Sequence, residues 1–138
     1  MSTHALIEHG LTKSVIGAFF EVYSELGFGF VEQPYVLALA SELMLRGHCV
    51  TREVSVPIYY KGTLLCTHRI DLVVDQKLIL EVKSTRQLSP TAIRQLHNHL
   101  HATNLEVGLV LHFGPEPKFY RQIVTNDQKN REKNGARI

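Results

Sequence analysis

The stretch of sequence that decides the fold is His68-Arg-Ile-Asp-Leu-Val-Val-Asp-Gln-Lys-Leu-Ile-Leu-Glu-Val-Lys-Ser84. Apolar residues recur at every second position on both sides of Asp75–Lys77, which predicts two strands joined by a turn. One face of this hairpin is expected to be wholly apolar, and its members are Ile70, Leu72, Val74, Leu78, Leu80 and Val82.

The opposite face of the hairpin carries charges of like sign in facing positions. If the loop has three residues, Asp71 lies opposite Glu81 and Arg69 lies opposite Lys83, with facing Cβ atoms roughly 5 Å apart. Like charges placed directly across a ladder are destabilising, so a strand pair selected for stability alone would favour opposite charges. This pattern suggests that something sits between the two carboxylates.

A hard divalent cation, Mg²⁺ or Mn²⁺, would suit two facing acids, because it accepts a few carboxylate oxygens and keeps water on its remaining positions. Lys83 points to the same face as Glu81 and could hold a phosphate or the attacking water. The alternative is a solvated polar face with diagonal salt bridges from Arg69 to Glu81 and from Asp71 to Lys83. The residues of the hairpin leave both interpretations open.

Length and composition limit the remaining possibilities. A chain of 138 residues with 44% hydrophobic content is expected to form one domain with a real core. The net charge of +2 is too small to indicate a polyanion partner by itself. Cys49 and Cys66 have no metal-type spacing and are predicted to be buried free thiols in a reducing compartment. With no signal sequence and no membrane-length apolar run, the expected location is the cytoplasm, without a membrane partner.

Periodicity and capping residues predict the order helix, helix, three strands, helix, strand. Pro57 favours an edge position or a bulge for the first strand, and the apolar run 106–113 favours a central strand. The polar tail 126–138 is expected to be flexible. The predicted helices are 13–26 after a capping Thr12, one from 32–35 to Gly47, and one from Pro90 to about Ala102 after a capping Ser89; the strands are 49–60, 64–74, 78–84 and 106–113, with 118–125 a further strand or a helical turn.

These patterns together resemble the PD-(D/E)XK nuclease superfamily, and within it the small GxxExxY proteins. Gly29-Phe-Val-Glu-Gln-Pro-Tyr35 spells the GxxExxY signature, and Arg69-x-Asp71 followed by Glu81-Val-Lys-Ser84 resembles the core of the superfamily. Gln95-Leu96 and the segment 108–114 resemble its later blocks. The resemblance implies a single α/β, or mixed α+β, restriction-endonuclease-like domain over residues 1–125, with an αβββαβ core and a mixed four-stranded sheet flanked by helices.

The resemblance also implies roles for individual residues. Asp71, Glu81 and the main-chain carbonyl of Val82 would bind Mg²⁺ or Mn²⁺, with Glu32 as an outer ligand or general base. Lys83 would orient or help to deprotonate the attacking water. The residues implied in supporting the site or the substrate are Gln95, which would steady the site, Arg69, a phosphate contact, and Tyr35. Tyr35 could contact the substrate, pack beneath the site or hydrogen-bond Glu32, and the structural role is favoured.

Two positions depart from the family pattern. His99 stands where related nucleases often carry tyrosine, and His112 stands where asparagine is usual. Histidine can still donate a hydrogen bond to phosphate or stack on a ring, so His99 remains a candidate substrate contact. His97 and His101 share a helix face and suggest a zinc site, but without a third assured ligand a solvated or structural role is preferred.

The leading functional hypothesis is metal-dependent hydrolysis of phosphodiester bonds in nucleic acid, with DNA as the default substrate class by resemblance. The competing hypothesis is a non-catalytic module that keeps the nuclease fold and binds nucleic acid or protein. A third is a homodimer or a subunit of a larger complex, because a chain this short offers little surface for gripping a duplex.

Overall fold

The computed structural model describes residues 7–135, with side chains described as far as residue 130. These residues form four helices and five strands. In chain order, their bounds are α1 His9–Leu26, α2 Glu32–Leu45, β1 Val50–Tyr60, β2 Thr63–Val74, β3 Leu78–Lys83, α3 Pro90–His101, β4 Val107–Phe113, β5 Pro117–Ile123 and α4 Asn126–Gly135.

The strands form one mixed sheet in the order β1-β2-β3-β4-β5. Only β3 and β4 run parallel, and helix α3 makes the crossover between them. The sheet therefore has five strands, and the predicted four-stranded count is wrong, because 117–123 pairs with the full length of β4. The prediction that β1, which contains Pro57, is an edge strand is confirmed, as is the central position of β4.

The β2–β3 hairpin closes in the predicted way. Asp75 and Gln76 both have positive φ angles, of 53° and 57°, which is the left-handed geometry that a tight hairpin turn needs. Leu72 pairs with Leu80, and the same register continued by one residue places Asp71 opposite Glu81. The ladder ends at Leu72, however, so the predicted pairing of Arg69 with Lys83 does not form.

Two apolar clusters cover the two faces of the sheet. Helices α1 and α2 pack on one face over Leu72, Val74, Leu78, Leu80 and Val82. Helix α3 packs on the other face, where Ala92, Leu96 and Leu100 contact the sheet. Ile70 belongs to this second cluster, so the prediction that it shares a face with Leu72 is wrong. The alternation is interrupted at Asp71, and Glu53 on the neighbouring strand has a φ of 54°.

Helix α1 begins earlier than its sequence pattern indicated. It starts at His9, and Thr12 lies buried inside the helix instead of capping it. The predicted cap at Ser89 is confirmed, because its side chain accepts the Thr91 N–H at 3.3 Å. Of the predicted flexible tail, residues 126–135 form helix α4, whereas residues 136–138 lie outside the described part of the chain.

Both cysteines are exposed free thiols, so the prediction that they are buried is wrong. Cys49 precedes β1, and Cys66 lies in the solvent-facing outer part of β2, where the hairpin extends past the helices. Across residues 7–135, none of the helices combines the length and the apolar character that a membrane crossing requires.

Candidate active site

Asp71 lies where strands β2 and β3 separate. Its Oδ2 accepts the main-chain N–H of Val82 at 2.8 Å, just beyond the last ladder pair. The side chain thereby fixes the position of β3 where the strand ladder no longer does. This hydrogen bond uses only Oδ2 of Asp71, and the Oδ1 atom does not take part in it.

Glu81 is almost completely buried, with 2% of its surface exposed. Its Oε1 lies 2.6 Å from Nδ1 of His99, which is itself fully buried. Burial raises the pKa of the Glu81 carboxyl, and the negative charge of Asp71 raises it further, although the hydrogen bond from His99 acts in the opposite direction. The Glu81 carboxyl therefore retains its proton to higher pH than a solvated glutamate does.

Lys83 is tied to helix α3. Its Nζ donates a hydrogen bond to Oε1 of Gln95 at 3.1 Å. Ser89 and Pro90 fix where helix α3 begins. They therefore also fix the position of Gln95 along the helix relative to Lys83. Lys83 is half-buried as a residue and lies at the same end of β3 as Glu81, and its bond to Gln95 is exposed to solvent.

A cleft of about 230 Å³ opens beside Asp71. Glu32, the first residue of α2, lines it together with Asp71 and Arg69. Arg69 is well exposed, and its guanidinium lies 3.9 Å from the carboxylate of Glu53. This is a loose ion pair in water, so the arginine remains available to an anion.

Tyr35 supports the segment that presents Glu32. Its ring is fully buried and stacks on Phe113, with centroids 4.1 Å apart. Its hydroxyl donates to the carbonyl of Gly27 at 2.5 Å and accepts the N–H of Phe30 at 3.3 Å. Tyr35 is therefore packed behind the segment that presents Glu32, and its buried ring is not exposed for the substrate contact that the resemblance also implied.

The structure brings Asp71, Glu81, Val82, Lys83 and Gln95 to one end of the sheet, with Glu32 and Arg69 along the adjoining cleft. The diagonal salt bridges of the alternative interpretation are absent among the described side chains, where Arg69 pairs with Glu53 and Glu81 pairs with His99. His99 is buried against Glu81, so its ring does not lie where a substrate would contact it.

The contact between His99 and Glu81 was missed at the sequence level. A signal for it was present, because His99 follows Gln95 by four residues and so shares its helix face. The role of His112 was missed as well. Its Nε2 lies 2.7 Å from the carbonyl of Thr85, to which it donates, and this bond fixes the chain that follows Lys83.

The acids and histidines of residues 7–135 do not gather in any group of three or more that could hold a metal ion. Among these described residues, Glu32 therefore does not form such a group with Asp71 and Glu81. His97 and His101, whose Nε2 atoms lie 3.1 Å apart, are not part of such a group either. Two carboxylates with an adjacent main chain still fit Mg²⁺, which is usually held by one or two carboxylates and keeps several waters.

Comparison with known proteins places the chain in a family. A sequence model of the PD-(D/E)XK nuclease superfamily matches residues 9–123. The solved structure titled "Crystal structure of SSO0001" is similar over 97% of this chain and 67% of that one, with a TM-score of 0.55 and 18% identity, a likeness that concerns the fold alone. No curated protein matches the chain. The chain belongs to the PD-(D/E)XK nuclease superfamily.

Proposed function

We propose that this protein hydrolyses phosphodiester bonds of nucleic acid, with DNA as the substrate class, in a reaction that depends on Mg²⁺ or Mn²⁺. The observation that carries the proposal is the pair of carboxylates at the end of the β2–β3 hairpin. Burial raises the pKa of the Glu81 carboxyl, and the nearby negative charge of Asp71 raises it further, so the two acids repel each other when both are ionised. A bound cation would offset it.

The residues proposed to hold the metal are Asp71, Glu81 and the main-chain carbonyl of Val82. A bound Mg²⁺ or Mn²⁺ supplies positive charge to the phosphate and lowers the pKa of a coordinated water. The donors are all oxygen atoms, which suits these hard cations better than zinc.

The remaining side chains have positioning and electrostatic roles in the proposal. Lys83, held by Gln95, places a positive charge beside the phosphate and orients the water. Glu32 faces the cleft and accepts a proton from that water. Arg69 contacts a neighbouring phosphate, for which its exposed guanidinium is available. Charge developing on the phosphate oxygens is stabilised by groups already in place, so little reorganisation is needed.

We also propose that the chain is of the GxxExxY type within the superfamily. The Gly29–Tyr35 segment carries that signature. In support, Tyr35 binds main-chain groups of Gly27 and Phe30, and the Ser84 hydroxyl donates to the Phe30 carbonyl. The signature segment is thus hydrogen-bonded both within itself, at the beginning of α2, and to Ser84 at the end of β3, beside the proposed metal ligands.

The proposed partner is nucleic acid, and a second copy of the chain or a larger complex would enlarge the binding surface. Support comes from the outer part of the β1–β2 hairpin, which carries exposed apolar side chains at Tyr59, Tyr60, Leu64 and Leu65. Exposed apolar groups clustered in one region are typical of interaction surfaces.

A second candidate function is a binding module that retains the fold without cleaving. Two observations favour it. One oxygen of Glu81 is already bound by His99, and residues 7–135 offer no group of three metal-binding side chains. In this case the cleft beside Asp71 and Arg69 would bind a partner and the acids would have no metal.

The test is incubation of purified wild type, Asp71→Ala and Lys83→Ala proteins with linear, circular and single-stranded DNA and with RNA, in Mn²⁺, Mg²⁺ or EDTA. We expect wild-type cleavage only with metal and at least about 10²-fold slower cleavage by either variant, the size of effect seen when one preorganised charge-stabilising group is removed. Lys77→Ala, in the exposed β2–β3 turn, is the matched lysine control. Undiminished cleavage by Asp71→Ala would exclude the assignment, and absence of cleavage by wild type would favour the binding module.

A further inference from the structure

A second hydrogen-bonded series of polar side chains lies outside the Asp71 site. Oγ of Ser14, on helix α1, is 2.7 Å from Nε2 of His48. Nδ1 of His48 is 2.8 Å from Oδ2 of Asp75, in the β2–β3 turn. Ser14 and His48 are 34 positions apart in the sequence, and His48 and Asp75 are 27 positions apart. The three residues are therefore brought together by the fold and not by their position in the sequence.

The order of these bonds fixes the tautomer of the neutral histidine. Burial tends to raise the pKa of the Asp75 carboxyl, but hydrogen bonds from the Cys49 N–H and from His48 outweigh it, and the pKa is lowered. The ionised carboxylate can only accept, so Nδ1 of His48 carries the hydrogen. In neutral His48 the Nε2 atom then has a free lone pair, and the Ser14 hydroxyl donates to it.

Asp75 is held in place independently of the histidine. Its Oδ1 accepts the main-chain N–H of Cys49 at 2.8 Å, so both carboxylate oxygens are oriented. The side chains of His48 and Asp75 are 15% and 33% exposed, and Ser14 is half-buried. All three residues are therefore only partly buried and lie outside the two apolar clusters.

A guanidinium group lies on the same helix face as Ser14. Gly17 follows Ser14 by three residues, and a Cβ at Gly17 would come within 2.9 Å of Nη1 of Arg46. The absence of that Cβ makes room for the arginine, whose Nε is held by Glu42 at 2.9 Å. Because residues three apart share a helix face, a positive charge stands one turn from the serine oxygen.

We propose that Ser14 is an activated nucleophile that accepts acyl groups from small carboxylic esters, with His48 as its general base and Asp75 as the group that positions His48. The arrangement has the connectivity that activates serine in hydrolases of unrelated folds: hydroxyl to Nε2, Nδ1 to carboxylate. Arg46 would stabilise negative charge on the carbonyl oxygen.

The chemical steps balance without a further reactant except water. Oγ of Ser14 bonds to the ester carbon while its proton passes to Nε2 of His48. The ester C–O bond then breaks, and the departing alkoxide takes that proton to leave as an alcohol. Water, deprotonated in turn by His48, attacks the acyl-serine and releases the carboxylic acid and free Ser14.

The experiment uses the full chain in EDTA, so that metal-dependent cleavage does not contribute. The probes are 4-nitrophenyl acetate, followed by nitrophenolate release, and a fluorophosphonate, which forms a Ser–O–P bond as fluoride leaves and the proton moves to His48. The variants are Ser14→Ala, His48→Gln and Asp75→Asn. Ser41→Ala, an exposed serine on α2, is the matched control, and thermal unfolding of each variant shows that it is folded.

We expect peptide mass analysis to find the phosphonate on Ser14 in the wild type and in Ser41→Ala. Labelling should be lost in Ser14→Ala and slowed about 10²-fold in His48→Gln, the lower end of the range for general-base catalysis. The proposal is overturned if Ser14 is not labelled, or if folded His48→Gln is labelled as fast as wild type. Either result would leave the three residues as a structural connection between α1 and the β2–β3 turn.

Discussion

Two histidine–carboxylate pairs in this protein differ mainly in how deeply they are buried. The His99–Glu81 pair has side-chain exposures of 1% and 3%, whereas His48 and Asp75 are 15% and 33% exposed. Burial raises the pKa of the Glu81 carboxyl, but at Asp75 the hydrogen bonds from Cys49 and His48 outweigh burial and lower the pKa. The pKa of a carboxyl beside a histidine thus shifts in opposite directions in the two pairs because of their surroundings.

The largest effect is expected from breaking the buried pair. His99→Leu fills a similar space with an apolar side chain but leaves the Glu81 carboxyl buried without its partner. Removing one member of a buried pair costs about 3–5 kcal/mol, and urea unfolding measures this loss.

The matched comparison for this change is His97→Leu on the same helix, where we expect a change of about 0.5 kcal/mol or less because the site is nearer the surface. The double variant Glu81→Leu with His99→Leu should recover most of the lost stability, since replacing both members by apolar residues is often neutral or stabilising. A single His99→Leu variant as stable as wild type would show that the pair is not coupled.

A smaller effect is expected from displacing α3. This helix carries His99 and Gln95, but it carries none of Ser14, His48 and Asp75. A Cβ at Gly108 would lie 2.5 Å from Cδ1 of Leu96 and 3.2 Å from the carbonyl of Ile79. Gly108→Ala should therefore push the helix from the sheet, at a cost of about 1–3 kcal/mol for overpacking. Metal-dependent cleavage should fall, while labelling of Ser14 should continue.

The control for this change is Gly10→Ala in helix α1, where an added Cβ meets nothing within 4 Å. Alanine is the better helix former, so this variant should gain up to about 1 kcal/mol. Differential scanning calorimetry on both variants makes the comparison. Equal melting temperatures for Gly108→Ala and wild type would mean that α3 accommodates the methyl group without moving.

The smallest expected effect is a difference in how the two pairs respond to pH. Because the folded-state pKa of Glu81 is raised from 4.5, the folded chain binds the proton more strongly than the unfolded chain. The stability that Glu81 contributes by binding this proton is fully present below pH 4.5 and is lost as the pH rises through the folded-state pKa. For Asp75 the pKa is lowered from 3.8, so its contribution is present above 3.8 and is lost as the pH falls through the folded value.

Free energies of unfolding measured in EDTA at several pH values, for wild type, Glu81→Gln and Asp75→Asn, separate the two contributions. As the pH rises above 4.5, the free energy of unfolding of wild type should fall relative to that of Glu81→Gln. The difference between wild type and Asp75→Asn should change below 3.8. The assignment of opposite environments fails if both differences change in the same direction.

The sequence by itself determined the hairpin and what it brings together. The apolar residues on either side of Asp75–Lys77 predict the two strands, and the length of the turn between them fixes which residues face each other. That register places Asp71 opposite Glu81. The cap at Ser89 and the edge position of the strand containing Pro57 followed from equally local rules.

Only the tertiary structure decided which polar groups are buried and with whom they pair. The contacts of Glu81 with His99 and of Ser14 with His48 join residues 18 and 34 positions apart, and no local pattern specifies such partners. The exposure of Cys66, in the outer part of β2, and of Cys49, before β1 and beside Asp75, depends on which segments the packed helices leave uncovered. Periodicity and capping act within a few residues, whereas burial, and with it the acid–base character of each carboxyl, depends on everything packed around the group.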